Sequence, residues 1–210
     1  MKPVATAEVI VIGGGLHGCS AALHLARAGV SALVLEKNYV GRHASGVNAG
    51  GVRRLSRHEA EVPLALAAMD LWHRIAELVD DDCGFEIHGQ IRVAENEDDA
   101  QSLQQREARM RALGYTHERW IGRDELFARV PALARHCLGG LIAEGDGAAL
   151  PYQTTAAFRR KAESLGQRFF EGVRAQRVQR TGASWTVDSD RGSFTGRVLV
   201  NCAGAWADRI

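Results

Sequence analysis

The sequence predicts an α/β fold: a parallel sheet begun by a βαβ unit and accompanied by a second layer of mixed strands and helices. The observations behind this are local. Residues 8–36 run strand, glycines, helix, strand; from Phe85 the texture changes to short alternating strands and charged helices; and Arg197-Val198-Leu199-Val200-Asn201 is again buried in character.

The β-branched run Glu8-Val9-Ile10-Val11-Ile12 reads as a buried parallel strand that leads straight into Gly13-Gly14-Gly15-Leu16-His17-Gly18. For a bound dinucleotide, Gly13 allows the tight turn and Gly15 lets the backbone approach a pyrophosphate. Gly18 lets the next helix pack closely on the sheet. That helix would present unpaired amides and a positive dipole end to the phosphates. Ala21, Ala22, Leu25 and Ala26 repeat at helical spacing, which predicts a helix from Leu16 to Ala28 stopped by Gly29. The second strand, from Ser31, ends on Glu36, about 20 residues beyond the glycines, where a carboxylate accepts hydrogen bonds from ribose hydroxyls. A glycine motif alone is weak; the order of strand, glycines, helix, strand and acid makes this a Rossmann-like, dinucleotide-binding start.

Composition narrows the partners. A chain of 210 residues buries a real core, and is long for one βαβ domain but short for two. With 26 basic and 25 acidic residues it carries no electrostatic footprint for nucleic acid. Cys19, Cys83, Cys137 and Cys202 are scattered without metal-ligand spacing, so no metal site is expected and each reads as buried filler. Cys19 alone has a reactive alternative, because a thiolate in the first turn of a helix is stabilised. The first strand begins within a few residues of Met1 and no apolar run is long enough to span a bilayer. A cytoplasmic location is the expectation.

After Lys37 the stretch from Asn38 to Arg54 is glycine-rich and lacks helical or strand periodicity, so it reads as a long functional loop making close backbone contacts. Ser56 to Glu59 has the form of a capping box, and Val62, Leu66, Met69, Trp72 and Val79 form an apolar helical face. Pro63 leaves two starts open: at Ser56 with a kink, or near Glu61 with the proline in the first turn. Asp80, Asp81 and Asp82 suit a helix C-terminus poorly and predict fraying. Strands at Phe85–Ile87 and Gln90–Ala94, a helix from Glu97 to Leu113, a strand near Tyr115 to Ile121, a helix from Asp124 to Arg129 and a strand near Leu138 to Ala143 follow. Gly145-Asp146-Gly147 is turn chemistry, Pro151 opens a helix to about Leu165, and strands follow at 168–170, 175–178, 185–187 and 194–201. The sequence then stops on the first residues of an expected helix, which implies a truncated chain.

Four segments together resemble the FAD-dependent oxidoreductases grouped with D-amino-acid oxidase, glycine oxidase and sarcosine oxidase. They are Gly13 to Gly18 with Glu36-Lys37, the Arg42 to Arg53 loop with Asn48-Ala49-Gly50-Gly51, Asp146-Gly147 to Pro151, and Val200-Asn201-Cys202-Ala203-Gly204-Ala205-Trp206. The resemblance implies a FAD-binding domain in residues 1–84 and 146–210, interrupted at 85–145 by part of an α+β substrate domain. It places Gly13, Gly15, Leu16, His17 and Gly18 at the pyrophosphate, Glu36 and Lys37 at the adenosine ribose, and His43, Ala44 and Ser45 at the phosphates. Arg42 and Asn48 join them as cofactor-binding positions, and Ala49, Gly50 and Gly51 pass beside the flavin ring. Ala175 offers backbone to the adenine, while Ala203 and Gly204 approach the dinucleotide from the opposite side. Trp206 either lines the cofactor pocket or anchors a new helix to the core. Family members run well beyond this length, and the remainder supplies the arginine that grips the substrate carboxylate, so this stretch alone is expected not to turn over. Leu150 stands where the family often has an acid, which weakens a local cap.

The reaction so implied is oxidation of the C–N bond of a small amino acid or secondary amine (glycine, sarcosine, proline or a D-amino acid) by hydride transfer to flavin. Oxygen or another acceptor then reoxidises the flavin. Arg53 is the candidate catalytic residue, as a fixed cation beside the ring; a surface or phosphate-pairing arginine is the equal alternative. His17 and His43 read as loop residues near phosphate, not as general bases. Two other functions stand beside this one: a non-catalytic FAD-binding or electron-transfer subunit, and an NAD(P)-dependent dehydrogenase sharing the first βαβ unit. An oligomer is possible in any of them.

Overall fold

The computed structural model describes residues 3–210, which form two compact units. The first comprises residues up to Ala49, Ile75–Cys83 and Leu150–Ile210; the second comprises Gly50–Arg74 and Gly84–Ala149. The boundaries expected from sequence fall at 84/85 and 145/146, so residues 50–74 are where the two divisions chiefly differ.

In the first unit β1 (Ala5–Ile12), α1 (Leu16–Arg27) and β2 (Ala32–Glu36) form the expected βαβ start, β1 and β2 pairing in parallel. Every residue of β2 is buried, because a strand covered on both faces has no polar side to show. The Asn38 to Arg54 stretch is not wholly irregular, contrary to its lack of periodicity. It holds one helical turn, α2 (Ala44–Val47), and a two-residue strand, β3 (Gly51–Val52), which belongs to the second unit.

The capping-box start at Ser56 gives way to the later one. Ser56 takes a left-handed φ of 57°, a 3-10 turn covers Glu59–Glu61, and α3 (Val62–Trp72) carries Pro63 in its first turn. The helix ends at Trp72, and a second one, α4 (Ile75–Val79), follows in the first unit. The acids that follow do not fray: Lys161 pairs with Asp80 at 2.7 Å and Arg160 with Asp81 at 2.6 Å, while Gln153 donates to Asp81. A neighbouring helix thus supplies the positive charge that the helix end lacks.

The second unit contains two small antiparallel sheets. In one, β8 (Gly147–Ala148) lies between β3 and β4 (Glu86–Ile87); in the other, β7 (Gly139–Ala143) lies between β5 (Gln90–Ala94) and β6 (Arg119–Gly122). Helix α5 (Glu97–Ala112) begins at Asn96, whose side chain caps the N–H of Asp99, and α6 (Arg123–Arg129) follows β6. Leu55, Leu103 and Leu141 fill one core here and Ile121, Leu126 and Ile142 another.

Helix α7 (Pro151–Ser164) returns the chain to the first unit and packs on α1. Then come β9 (Arg168–Glu171), β10 (Ala175–Thr181), β11 (Ser184–Ser189) and β12 (Gly192–Asn201). The sheet order is β10-β11-β12-β1-β2-β9, parallel from β12 to β9 and antiparallel through β11 and β10. Its core is Ile10, Ile12, Leu33, Leu35, Val173, Val187 and Phe194, with Phe170 meeting Phe194 edge-on at 5.0 Å. The expected terminal helix is a 3-10 segment, Gly204–Arg209. Among the described residues no helix is long and apolar enough to cross a membrane, and no cluster of side chains could hold a metal ion.

Candidate functional site

The sheet order puts the carboxyl ends of β2, β1 and β12 side by side, where open parallel sheets take their ligands. Two backbone bonds fix the junction: Gly13 N–H donates to the Leu35 carbonyl and Cys202 N–H to the Ile12 carbonyl, both at 2.8 Å. Gly13 has φ 109°, and a Cβ there would lie 2.3 Å from the Cys202 carbonyl oxygen, so only glycine lets the turns after β1 and β12 touch. A Cβ on Gly18 would lie 1.9 Å from the Gly13 carbonyl oxygen, so what the missing side chain permits is a close approach of α1 to the turn after β1.

A cavity of about 550 Å³ opens at this junction, within the first unit. Of the expected positions, Gly13, Gly15, Leu16 and His17 line it from the glycine turn and Glu36 and Lys37 from the end of β2. Arg42, His43, Ala44, Ser45 and Asn48 line it from the loop beyond, and Ala175, Ala203, Gly204 and Trp206 from β10 and the turn after β12. Gly18 does not line it, being buried under the turn. Ala49, Gly50 and Gly51 do not line it either; Gly51 and Arg53 line a separate cavity of the second unit. Gly14, Gly41, Val173, Arg174 and Cys202 line the first cavity without being expected from sequence to do so. Val173 and Arg174 follow β9, and only the pairing of β9 with β2 places them there, since Val173 N–H bonds the Glu36 carbonyl at 2.9 Å.

The electrostatics suit an anion at one end and hydroxyls at the other. Helix α1 starts at Gly15 with no side-chain cap from that residue and no acid in its first turn, leaving its positive end to the cavity. The Ser45 hydroxyl accepts from Leu16 N–H at 2.9 Å and sits 2.9 Å from where a Cβ on Gly15 would be. Buried Glu36 accepts the Gly14 N–H at 2.7 Å through Oε2 and the Asn38 N–H at 2.8 Å through Oε1. A carboxylate has about four acceptor sites, so one on each oxygen remains for ribose hydroxyls.

The Trp206 ring lines the cavity and is itself held in place, with the Lys37 ammonium 3.1 Å from its centroid and the His43 ring 4.7 Å away. Partial burial pushes Lys37 below its ordinary value, with Glu36 opposing the shift and Arg174 adding to it. Cys19 is fully buried and burial pushes its thiol up to about 12, so the first-turn position does not yield a thiolate. Burial likewise raises Cys202.

A crevice at the carboxyl ends of parallel strands, with a glycine turn, a helix N-terminus opening on it and an acid ending the second strand, defines a dinucleotide-binding α/β protein. Residues 8–210 match the FAD dependent oxidoreductase family (DAO), and the chain belongs to that family. It is similar to glycine oxidase of Geobacillus kaustophilus (strain HTA426), 28% identical over 97% of this chain and 56% of the relative, and to glycine oxidase of Bacillus licheniformis, 30% identical over 97% and 55%. The crystal structure of glycine oxidase from Geobacillus kaustophilus superposes with a TM-score of 0.89 at 27% identity, covering 97% of this chain and 57% of that one. The chain therefore spans about half the length of the relatives it matches. The family's cofactor is FAD, and the residues present fit it: a helix N-terminus on the cavity with no acid in its first turn, an acid with spare acceptor sites and a turn of small residues at Ala203-Gly204.

Proposed function

We propose that this protein is an FAD-dependent oxidoreductase that oxidises the C–N bond of a small amino acid or secondary amine, of the glycine, sarcosine, proline or D-amino acid type. The observation that supports it most is the convergence on one cavity of the glycine turn, Glu36 and the Ala203-Gly204 turn, in a chain belonging to this family over residues 8–210. Bound FAD supplies the hydride acceptor. The chain's own residues bind and orient: the start of α1 with Gly13, Gly15, Leu16 and His17 takes the pyrophosphate, and Glu36 accepts from the ribose. His43, Ala44 and Ser45 close on the phosphates, with Arg42 and Asn48 beside them, and Lys37 and Trp206 form one wall.

On this proposal residues 1–84 and 146–210 form the FAD-binding part and 85–145 the substrate part, with Ala49, Gly50 and Gly51 passing the ring and Arg53 as the fixed cation. Oxygen or another acceptor takes the electrons, and the setting is the cytoplasm. The test is the visible spectrum of the purified protein with and without added FAD, then oxygen uptake and dye reduction with glycine, sarcosine, proline and D-amino acids. A flavin spectrum with turnover of one of these supports the proposal. A flavin spectrum without turnover is the outcome expected of this stretch alone; the same result in a chain extended to the length of its relatives makes the protein a carrier, and no flavin uptake refutes the proposal.

A further inference from the structure

The second unit has a cavity of its own, about 310 Å³, lined by Leu64, Ala68, Met69 and Trp72 and by the two arginines Arg53 and Arg57. Among the described residues neither arginine has a carboxylate partner, and Glu61 is the single acid at the rim. The turn that follows Arg53 and ends on Arg57 is held by two buried carboxylates and Arg106. Asp146, fully buried, accepts the backbone N–H groups of Arg54 and Leu55 at 2.7 and 2.8 Å and the Arg54 Nε at 2.9 Å. Glu118, also buried, accepts the Ser56 N–H, and Arg106 grips both its oxygens while donating to the Arg57 carbonyl at 2.8 Å.

Four consecutive residues, 54 to 57, are thereby pinned from one side. The Arg54 side chain is drawn inward, and Ser56 is held at φ 57°, which a residue with a Cβ adopts only when its surroundings impose it. Arg53 adds a brace by donating to the Leu55 carbonyl at 2.7 Å. Burying carboxylates is costly unless they are well paired, so two of them spent on one short turn point to a geometry that must be kept.

We propose that Glu118 and Asp146 are positioning residues that preorganise Arg53 and Arg57 as an anion subsite, which takes an organic carboxylate with a short apolar body. The carboxylate meets two guanidinium groups and the body lies against Leu64, Met69 and Trp72. The choice of carboxylate rests on the amino-acid substrate class proposed above. The positioning itself is tested without flavin chemistry.

The experiment is calorimetric titration of the full chain with butyrate, and with butylamine as the cationic counterpart, for the unaltered protein and for Arg53→Gln, Arg57→Gln, Glu118→Gln and Arg106→Lys. Arg106→Lys retains the charge and serves if Glu118→Gln does not fold. Butyrate binds saturably and butylamine does not; losing either guanidinium weakens binding by about tenfold, the scale of one charge-assisted pair. Glu118→Gln or Arg106→Lys weakens butyrate by a similar factor and speeds amide hydrogen exchange at Leu55 and Ser56, while FAD binding is retained. No saturable butyrate binding overturns the proposal, as does full butyrate affinity in a variant whose turn exchanges faster. Joint loss of butyrate and FAD binding also overturns it, because it marks a general structural role. Failure here with FAD uptake intact leaves the proposed oxidoreductase standing.

Discussion

Two glycines in the same turn separate folding from cofactor binding. Gly15 is extended, with φ −78°, so alanine there suffers no backbone strain, and its Cβ meets only the Ser45 side chain, the hydroxyl at 2.9 Å. A hydroxyl rotates away; the cost is its bond to Leu16 N–H, about 1 kcal/mol. Gly18→Ala is different in kind, since its Cβ would lie 1.9 Å from the Gly13 backbone oxygen, which cannot move without opening the turn between β1 and α1. Overpacking of that sort costs about 3 kcal/mol. For a chain of this size that is a fall in Tm of about 6–12 °C. Gly15→Ala should instead lose about 2–4 °C while its methyl group occupies the approach of the pyrophosphate. FAD affinity then falls by at least about tenfold, the equivalent of 1.4 kcal/mol. Thermal melting of the ligand-free protein and quenching of FAD fluorescence read the two quantities separately. Equal destabilisation by the two alanines, or native FAD affinity in Gly15→Ala, would refute the assignment of the cavity.

Other expectations follow from burial. The His117 ring is buried with no hydrogen bond to either nitrogen, and burial pushes it below its ordinary value of 6.5 against the opposing charge of Glu118, 3.8 Å from Nε2, so the unfolded chain binds its proton more readily than the folded one. Stability is therefore full above about pH 6.5 and declines as the pH falls below it, and His117→Phe flattens that part of a denaturation–pH curve. Cys19, with its thiol at about 12, stays unreactive toward a thiol reagent in the native protein and is labelled only on unfolding. Phe194→Ala, which empties a fully buried site against Phe170, costs about 3–5 kcal/mol in urea denaturation, and a loss under about 1 kcal/mol would deny it a core role.

What the sequence disclosed depended on whether a signal was periodic and local. The run from Glu8 to Glu36 is readable because strand, helix and strand each repeat over their own length, and α7 because Pro151 and Gly166 bracket it. Helix α2 is invisible because one turn of Ala44-Ser45-Gly46-Val47 has no period to detect. Asp80 to Asp82 look set to fray because the cations that hold them, Arg160 and Lys161, lie 79 and 81 positions away along the chain. The cavity residues follow the same rule. Gly13, Glu36 and Ser45 belong to recognisable motifs, whereas Val173 and Arg174 reach the site only through the pairing of β9 with β2. Glu118 gives no signal of its role, and Asp146 shows only as part of a turn motif, because what each holds is a turn 62 to 92 positions away along the chain.

The central claim is that the turn after β1, the end of β2 and the turn after β12 together hold FAD. Equilibrium titration of the purified protein with FAD, followed by protein-induced changes in the flavin absorption and fluorescence, tests it most directly. The account predicts saturable uptake at one site per chain that NAD does not compete away and that Gly15→Ala weakens. An unchanged flavin spectrum at every FAD concentration, with the protein folded, would contradict it.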